Sequence, residues 1–333
     1  MELSAVATAA LGALSQDEDG DEDSERCLLL ALSHDELGVI FDGLADPLQP
    51  AVAVALSSTC LGLRTPLMAA LEVLKERHER AVALCRKAEM NCAELRDADR
   101  LSWFQKGLTA VDLATLGILL SKWLPRLQTL DLDGGGISDA GMQALCGGLA
   151  LGAAPSLSAL RLSIFNDFGP VGAEALAAAL RRGAMPHIEK LYLSYNPIGS
   201  QGMAALAAPL RKLPSLNRLG LINCKLGDEG VASMFANLGK DDFKALQFLQ
   251  LDHNELTETI CATLVAAINA DALPNLRHIC LSGNPASDAA RLAVTAAICA
   301  RAEQKSARAQ QELAAIQAAV AAFMPPSPPA PVV

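Results

Sequence analysis

One spacing of leucines recurs along most of the chain and restricts what it can become. "LQTLDLDGGGI" supplies Leu127, Leu130, Leu132, Gly135 and Ile137. The same register returns in "LSALRLSIFNDF" (Leu157, Leu160, Leu162, with one extra residue before Asn166), "IEKLYLSYNPI", "LNRLGLINCKL", "LQFLQLDHNEL" and "LRHICLSGNPA". Successive copies begin 30, 31, 28, 30 and 30 residues apart, and a degenerate copy with Leu101, Trp103 and Leu108 sits 29 residues upstream. A unit this short cannot bury its own apolar face, so the units must stack on one another. Leu191 and Leu193 lie two apart, so on a strand they share one face and Tyr192 takes the other. Between strands, "GMAALAAPLRKL", "GAEALAAALRRG" and "GVASMFANLGK" are alanine-rich with leucines at helical spacing. Crossovers of that length make the strands parallel.

The consensus L-x-x-L-x-L-x-x-N/C-x-L is that of the leucine-rich repeat, with Cys224 at the alternative position. Its long, helical form resembles the ribonuclease-inhibitor-like subfamily over about residues 101–300. The resemblance implies an α/β leucine-rich-repeat solenoid, with parallel strands inside and helices outside. Helices are wider than the spacing between strands, so the stack curves and the strands line its concave face. The helix starts read "SDAG" (138–141), "GSQG" (199–202) and "GDEG" (227–230); "TETI" (257–260) departs and implies a looser start. Asn196 ends its strand where backbone groups lose their ladder partners, which assigns it a structural role.

The outward strand residues are Asp131, Asp133, Arg161, Lys190, Tyr192, Arg218, Phe248, Gln250, Asp252 and His278, with Tyr195, His253 and Phe165 in the adjoining turns. Aromatic residues make up only 4% of the chain, so both tyrosines and Phe248 falling on one face points to a protein partner there. Tyrosine and arginine anchor interfaces because they bury large area at low entropic cost.

The flanks differ in kind. Residues 1–26 hold "DEDGDEDSE", seven acids in nine positions, expected to be a disordered spacer. Residues 27–67 resemble an F-box, the helical module that docks on Skp1-type adaptors of cullin ubiquitin ligases. Leu32, Leu37, Ile40, Phe41, Leu44, Leu56 and Cys60 match its pattern, and Ser33 or Asp35 is the expected cap of its first helix. Ser33 in place of the usual proline, and the lack of an aromatic residue after Cys60, depart from it. The alternative is a plain N-terminal cap for the solenoid. Residues 68–100 read as one long linking and capping helix, with His78 on its charged surface. The helical segment over 301–324 carries Leu313, Ile316, Val320 and Phe323 at a spacing suited to packing on the last repeat. Residues 325–333 form a Pro-rich disordered tail.

Net charge of −10 argues against nucleic-acid binding, which needs a basic face. No apolar run is long enough for a membrane span, Glu2 and the following acids do not suit a secretory signal, and nine scattered cysteines suit reduced, buried thiols. The expected setting is therefore cytoplasmic or nuclear. Phosphate-loop, H-E-x-x-H and G-x-S-x-G patterns are missing, so no enzyme, metal or cofactor is expected. The one place where a metal could gather is Asp252, His253 and His278. These readings converge on a non-enzymatic protein-binding scaffold, and more finely on an F-box-type substrate receptor. The subfamily resemblance carries two alternatives: a Ran-type GTPase-activating protein, whose acidic tail this chain lacks, and a ribonuclease-inhibitor-like stoichiometric blocker.

Overall fold

The computed structural model describes residues 33–58, 61–239 and 241–323. The N-terminal part is helical: α1 (His34–Leu44), α2 (Ala51–Ser58), α3 (Leu61–Ala88) and α4 (Cys92–Asp97). Ser33 caps α1 in a reciprocal box with Glu36. The single helix expected over 68–100 is instead two. It begins earlier, runs through Pro66 and stops at Ala88; Glu89 then turns left-handed (φ 61), and Asn91 caps α4 with Glu94. The sequence signal for that break, Asn-x-x-Glu, is a capping box.

Seven strands follow in chain order as one parallel sheet: β1 (Arg100–Ser102), β2 (Thr129–Asp131), β3 (Ala159–Arg161), β4 (Lys190–Tyr192), β5 (Arg218–Gly220), β6 (Phe248–Gln250) and β7 (His278–Cys280). Their register joins Leu101, Leu130, Leu160, Leu191, Leu219, Leu249 and Ile279 in one row. The degenerate upstream copy is therefore a full member of the sheet. Between the strands lie α5 (Ala110–Lys122), α6 (Asp139–Gly148), α7 (Pro170–Arg181), α8 (Gly199–Arg211), α9 (Gly227–Phe235) and α10 (Glu258–Asn269), and α11 (Asp288–Phe323) closes the fold. This is the leucine-rich-repeat α/β solenoid.

Its apolar core is continuous from Leu48 to Ile298, and the repeat leucines in it are almost wholly buried. Each such side chain contributes about 1.5–3 kcal/mol of transfer free energy. Adjacent helices pack closely enough to require glycine: a Cβ on Gly202 would lie 3.0 Å from Ala173 Cβ and 2.7 Å from Ile198 Cγ2. The helix starts are stapled across repeats. Asp139 Oδ1 accepts from the Gly169 and Gly172 N–H groups at 2.7 Å, capping α7, which has no side-chain cap of its own. Asp228 Oδ1 does the same for Thr257 N at 2.8 Å, and Thr257 in turn caps α10. The start at 257–260 is thus held, not loose.

Polar side chains complete the strand exits. Asn166, Asn196, Asn254 and Asn284 are buried, and their amides donate to strand carbonyls, as Asn284 Nδ2 does to Leu251 O at 2.9 Å and Leu281 O at 2.8 Å. Asn254 Oδ1 accepts from Cys224 N at 2.8 Å, and Asn284 Oδ1 from Asn254 N at 2.7 Å. Cys224 fills the ladder with a thiol that donates to Leu193 O at 3.4 Å, and burial pushes it up to about 12, so it stays neutral. The extra residue of the third repeat breaks this chain of bonds. Ile164 and Phe165 both turn left-handed ahead of Asn166, and Asn196 Oδ1 has no partner among the described residues.

The first end of the solenoid is covered by α3 and α4, whose Ala81, Leu84, Cys85 and Leu95 enter the main core. Lys87 on α3 meets Asp112 on α5 at 2.7 Å, and His78 Nδ1 bonds Pro47 O at 2.7 Å, so His78 is a tie between elements more than a surface residue. At the other end, α11 crosses the boundary expected near residue 300 without a break. Arg301 donates to the Leu273 and Leu276 carbonyls, and Lys305 to Pro274 O at 2.8 Å. Residues 302–317 are all exposed, including Leu313 and Ile316, so this stripe does not pack on the last repeat as expected. The residues beyond Lys305 outrun the solenoid surface. The side chains of Val320 and Phe323 lie outside the described residues.

Candidate functional site

Strand alternation sends every second residue to the helix-free face of the sheet. Two rows result. Register aligns Arg100, Thr129, Ala159, Lys190, Arg218, Phe248 and His278 in one, and Ser102, Asp131, Arg161, Tyr192, Gly220, Gln250 and Cys280 in the other. The expected residues within these strands therefore share one surface; Asp133 and Asp252, two positions past the ends of β2 and β6, are placed separately.

Asp133 does not face outward. It is 4% exposed, and its carboxylate accepts from Ser163 N and from Arg161 Nε and Nη2 at 3.1 and 3.0 Å. Burial raises its carboxyl above the usual carboxylate value despite those bonds. Asp252 bonds Ser282 N at 2.9 Å, and Ser194 Oγ accepts from Ile222 N at 3.0 Å, in the same way. The second position after the strand thus carries a second structural ladder in alternate repeats, where the sequence reading took Asp133 and Asp252 for contact residues and passed over Ser194.

Arg161 bridges Asp133 and Asp131, the latter at 3.3 Å, and lies 5.4 Å from the Tyr192 ring. Burial alone would lower its guanidinium, but the Asp133 bond and the two carboxylates outweigh it and hold the group above its usual value. Tyr192 lies across Gly220, where a Cβ would meet its ring at 2.8 Å. Arg218 sits 4.1 Å over the Phe248 ring, and Phe248 stacks on His278 at 4.8 Å with an interplanar angle of 17°. A cavity of about 140 Å³ opens here among Tyr192, Arg218, Phe248, Gln250 and His278. A larger one of about 500 Å³ lies at the last strand, between Ile279, Ser282 and the start of α11.

The turns after the strands have their own signature. Tyr195, Asn223, His253 and Gly283 occupy one left-handed position in successive repeats, with Gly134 and Phe165 before them. Such a conformation is uncommon for a non-glycine residue. Its recurrence makes it a property of the repeat turn. It leaves Tyr195 47% and Phe165 69% exposed, and Phe104, 49% exposed and missed in the sequence, joins them by lying over Gly134. His253 covers Gly283, while Asp252 and His278 are engaged elsewhere, so these three do not form a common cluster. Among the described residues, no group of three or more His, Cys, Asp or Glu is arranged to hold a metal.

The expected adaptor-docking residues fall differently. Leu37, Phe41 and Leu56 are buried, and Ile40 and Leu44 pack against them in a small core of the N-terminal module. These side chains supply the module's own core rather than an outer surface. The exposed apolar residues there are Val39, Val52, Val54, Met68 and Val73. Leu32 and Cys60 lie outside the described residues.

A family profile described as leucine-rich repeat matches residues 125–146 and 184–207. The chain is 34% identical over 153 residues to the Tonsoku-like protein of Bos taurus, covering 45% of this chain and 11% of that protein. It is 31% identical over 169 residues to the ribonuclease inhibitor of Sus scrofa, covering 50% of this chain and 36% of that one. The chain thus spans well under half the length of these relatives. A solved structure from Bacteroides fragilis aligns at 16% identity and a TM-score of 0.40, covering 67% of this chain and 70% of that one. Among the described residues, no helix is long and apolar enough to cross a membrane.

Proposed function

We propose that this leucine-rich-repeat chain is a protein-binding scaffold whose helix-free, concave face holds a surface of another protein. The supporting observation is the alignment of Tyr192, Arg218, Phe248 and His278 on adjacent strands beside exposed Tyr195. Such a patch offers aromatic and guanidinium anchors at low entropic cost. The likeness to a ribonuclease inhibitor agrees with a binding role, although fold alone does not specify a partner. The test is affinity purification with the intact chain and with a Tyr192→Ala, Tyr195→Ala, Phe248→Ala variant shown to be folded by circular dichroism. Loss of the recovered partners is expected; an unchanged set rejects the concave face.

A second reading gives the N-terminal module an adaptor-docking role, making the chain a substrate receptor for ubiquitin transfer. Its support is that α1–α3 hold a core separate from the solenoid's while leaving Val39, Val52, Val54, Met68 and Val73 exposed. Co-elution with a Skp1-type adaptor on a sizing column is the expected result. Separate peaks would remove the ligase role and leave the scaffold intact.

A further inference from the structure

The helix-free face divides into two halves by charge. Around β2 and β3 the cation is already neutralised, since Arg161 is held by Asp131 and Asp133. Across β4 to β7, Lys190 and Arg218 are exposed with no carboxylate in ion-pair distance among the described residues. Glu189, next in sequence, sits before the strand with its carboxylate near Asn217 Nδ2, at 3.5 Å. This unpaired cluster belongs to a chain whose net charge is −10.

Arg218 is also fixed in advance. The Phe248 ring lies 4.1 Å from its guanidinium carbon and is itself stacked on His278. A planar fork held over a ring loses little freedom when it takes a bidentate acceptor. The cavity beside it is open to the same acceptor.

We propose that this half of the face binds an acidic segment of a protein partner, one carboxylate taking the Arg218 fork beside Lys190. The inference rests on the concave-face reading and narrows it to a partner chemistry. A protein segment fits better than a nucleic acid because the cations are bounded by acids, Asp131 on one side and Asp252 on the other. A continuous polyanion laid along the arc would run onto those carboxylates. A short acidic stretch between neutral or basic residues would not.

The test is a random-peptide display selection against the full chain, followed by fluorescence anisotropy of the recovered peptides on purified variants. Enrichment in Asp and Glu is expected, with binding about tenfold weaker to Arg218→Ala and unchanged for the distant surface control Arg126→Ala. Neutral or basic peptides that still lose affinity with Tyr192→Ala would overturn the acidic assignment and leave the concave face standing. Peptides indifferent to both Arg218→Ala and Tyr192→Ala, or no enrichment, would overturn both. Tighter binding of a single-stranded DNA oligonucleotide of equal charge would replace the protein ligand with a nucleic acid.

Discussion

The solenoid and the N-terminal module are both built mainly from leucine and alanine, yet they are held in different ways. In the solenoid, one core runs through all seven strands, and buried amides and carboxylates bond the backbone of the neighbouring repeat. In the module, a core of seven buried residues from Leu37 to Leu74 holds three helices, with no such ladder among the hydrogen bonds of its described residues. Apolar contact alone tolerates several arrangements, whereas a hydrogen-bond ladder accepts one register. The solenoid should therefore respond to the loss of a polar side chain as a whole, and the module to the loss of an apolar one by itself.

The largest effect is expected at Asn254. Replacing it with alanine orphans the Cys224 N–H and the Leu221 carbonyl, both buried, and opens a void; roughly 4 kcal/mol should be lost. Because repeats stabilise their neighbours, thermal unfolding followed by circular dichroism should shift as one transition. A local change, with distant repeats keeping their hydrogen-exchange protection, would show that the ladder acts repeat by repeat. Phe41→Ala is the counterpart in the module, costing about 3 kcal/mol for a fully buried phenylalanine. Hydrogen exchange should rise across α1 and α2 and stay unchanged from β2 onward. Equal loss of protection in both regions would make them one cooperative unit, joined through Leu48 and the His78 to Pro47 tie.

This contrast also explains which parts could be read in the sequence. Leu130, Leu160, Leu191 and Leu219 were legible because a fixed period leaves one way to align them, and Asn196 because a strand end must satisfy its backbone. The outward rows followed from strand alternation. Asp133 was misread because, two residues past the end of β2, alternation no longer decides orientation and the Ser163 N–H does. Leu37, Phe41 and Leu56 were matched to a pattern that does not distinguish a helix's inner face from its docking face. The stripe at Leu313 and Ile316 failed for another reason: spacing makes an apolar seam but does not say whether the solenoid extends far enough to meet it. The Arg218–Phe248–His278 stack joins three repeats, and no local pattern announces it.

The β4 repeat, next to the inserted residue, offers a finer version of the comparison, inside the ladder itself. Asn254 uses both ends of its amide, while Asn196 donates to Leu162 O at 2.7 Å and Leu193 O at 2.9 Å with Oδ1 unpartnered. A cysteine can donate as Cys224 does but is a poor acceptor. Asn196→Cys should therefore cost about 1 kcal/mol less than Asn254→Cys, the difference being the accepted bond. Matched denaturant melts of the two variants measure it. Equal losses would mean that Asn196 Oδ1 is satisfied in solution, with water the simplest partner.

The smallest effect lies at the seam between the regions. Asp112 closes the capping box of α5, accepting from Thr109 N at 2.8 Å, and meets Lys87 of α3 at 2.7 Å. Burial would raise its carboxyl, but the bonds from Lys87 and Thr109 prevail and hold it below the ordinary 3.8. A folded value below the unfolded one favours the ionised form, so the unfolded chain binds more protons in acid. The contribution is complete above the ordinary carboxylate value and disappears as pH falls through the depressed one. Asp112→Asn should cost under about 1 kcal/mol at neutral pH, and its melting curve should converge on that of the parent as pH falls through the depressed value, below the ordinary 3.8. A gap that persists unchanged into acid would assign the loss to altered packing between α3 and α5, and the seam would then be held by Ala81, Leu84 and Cys85 rather than by charge.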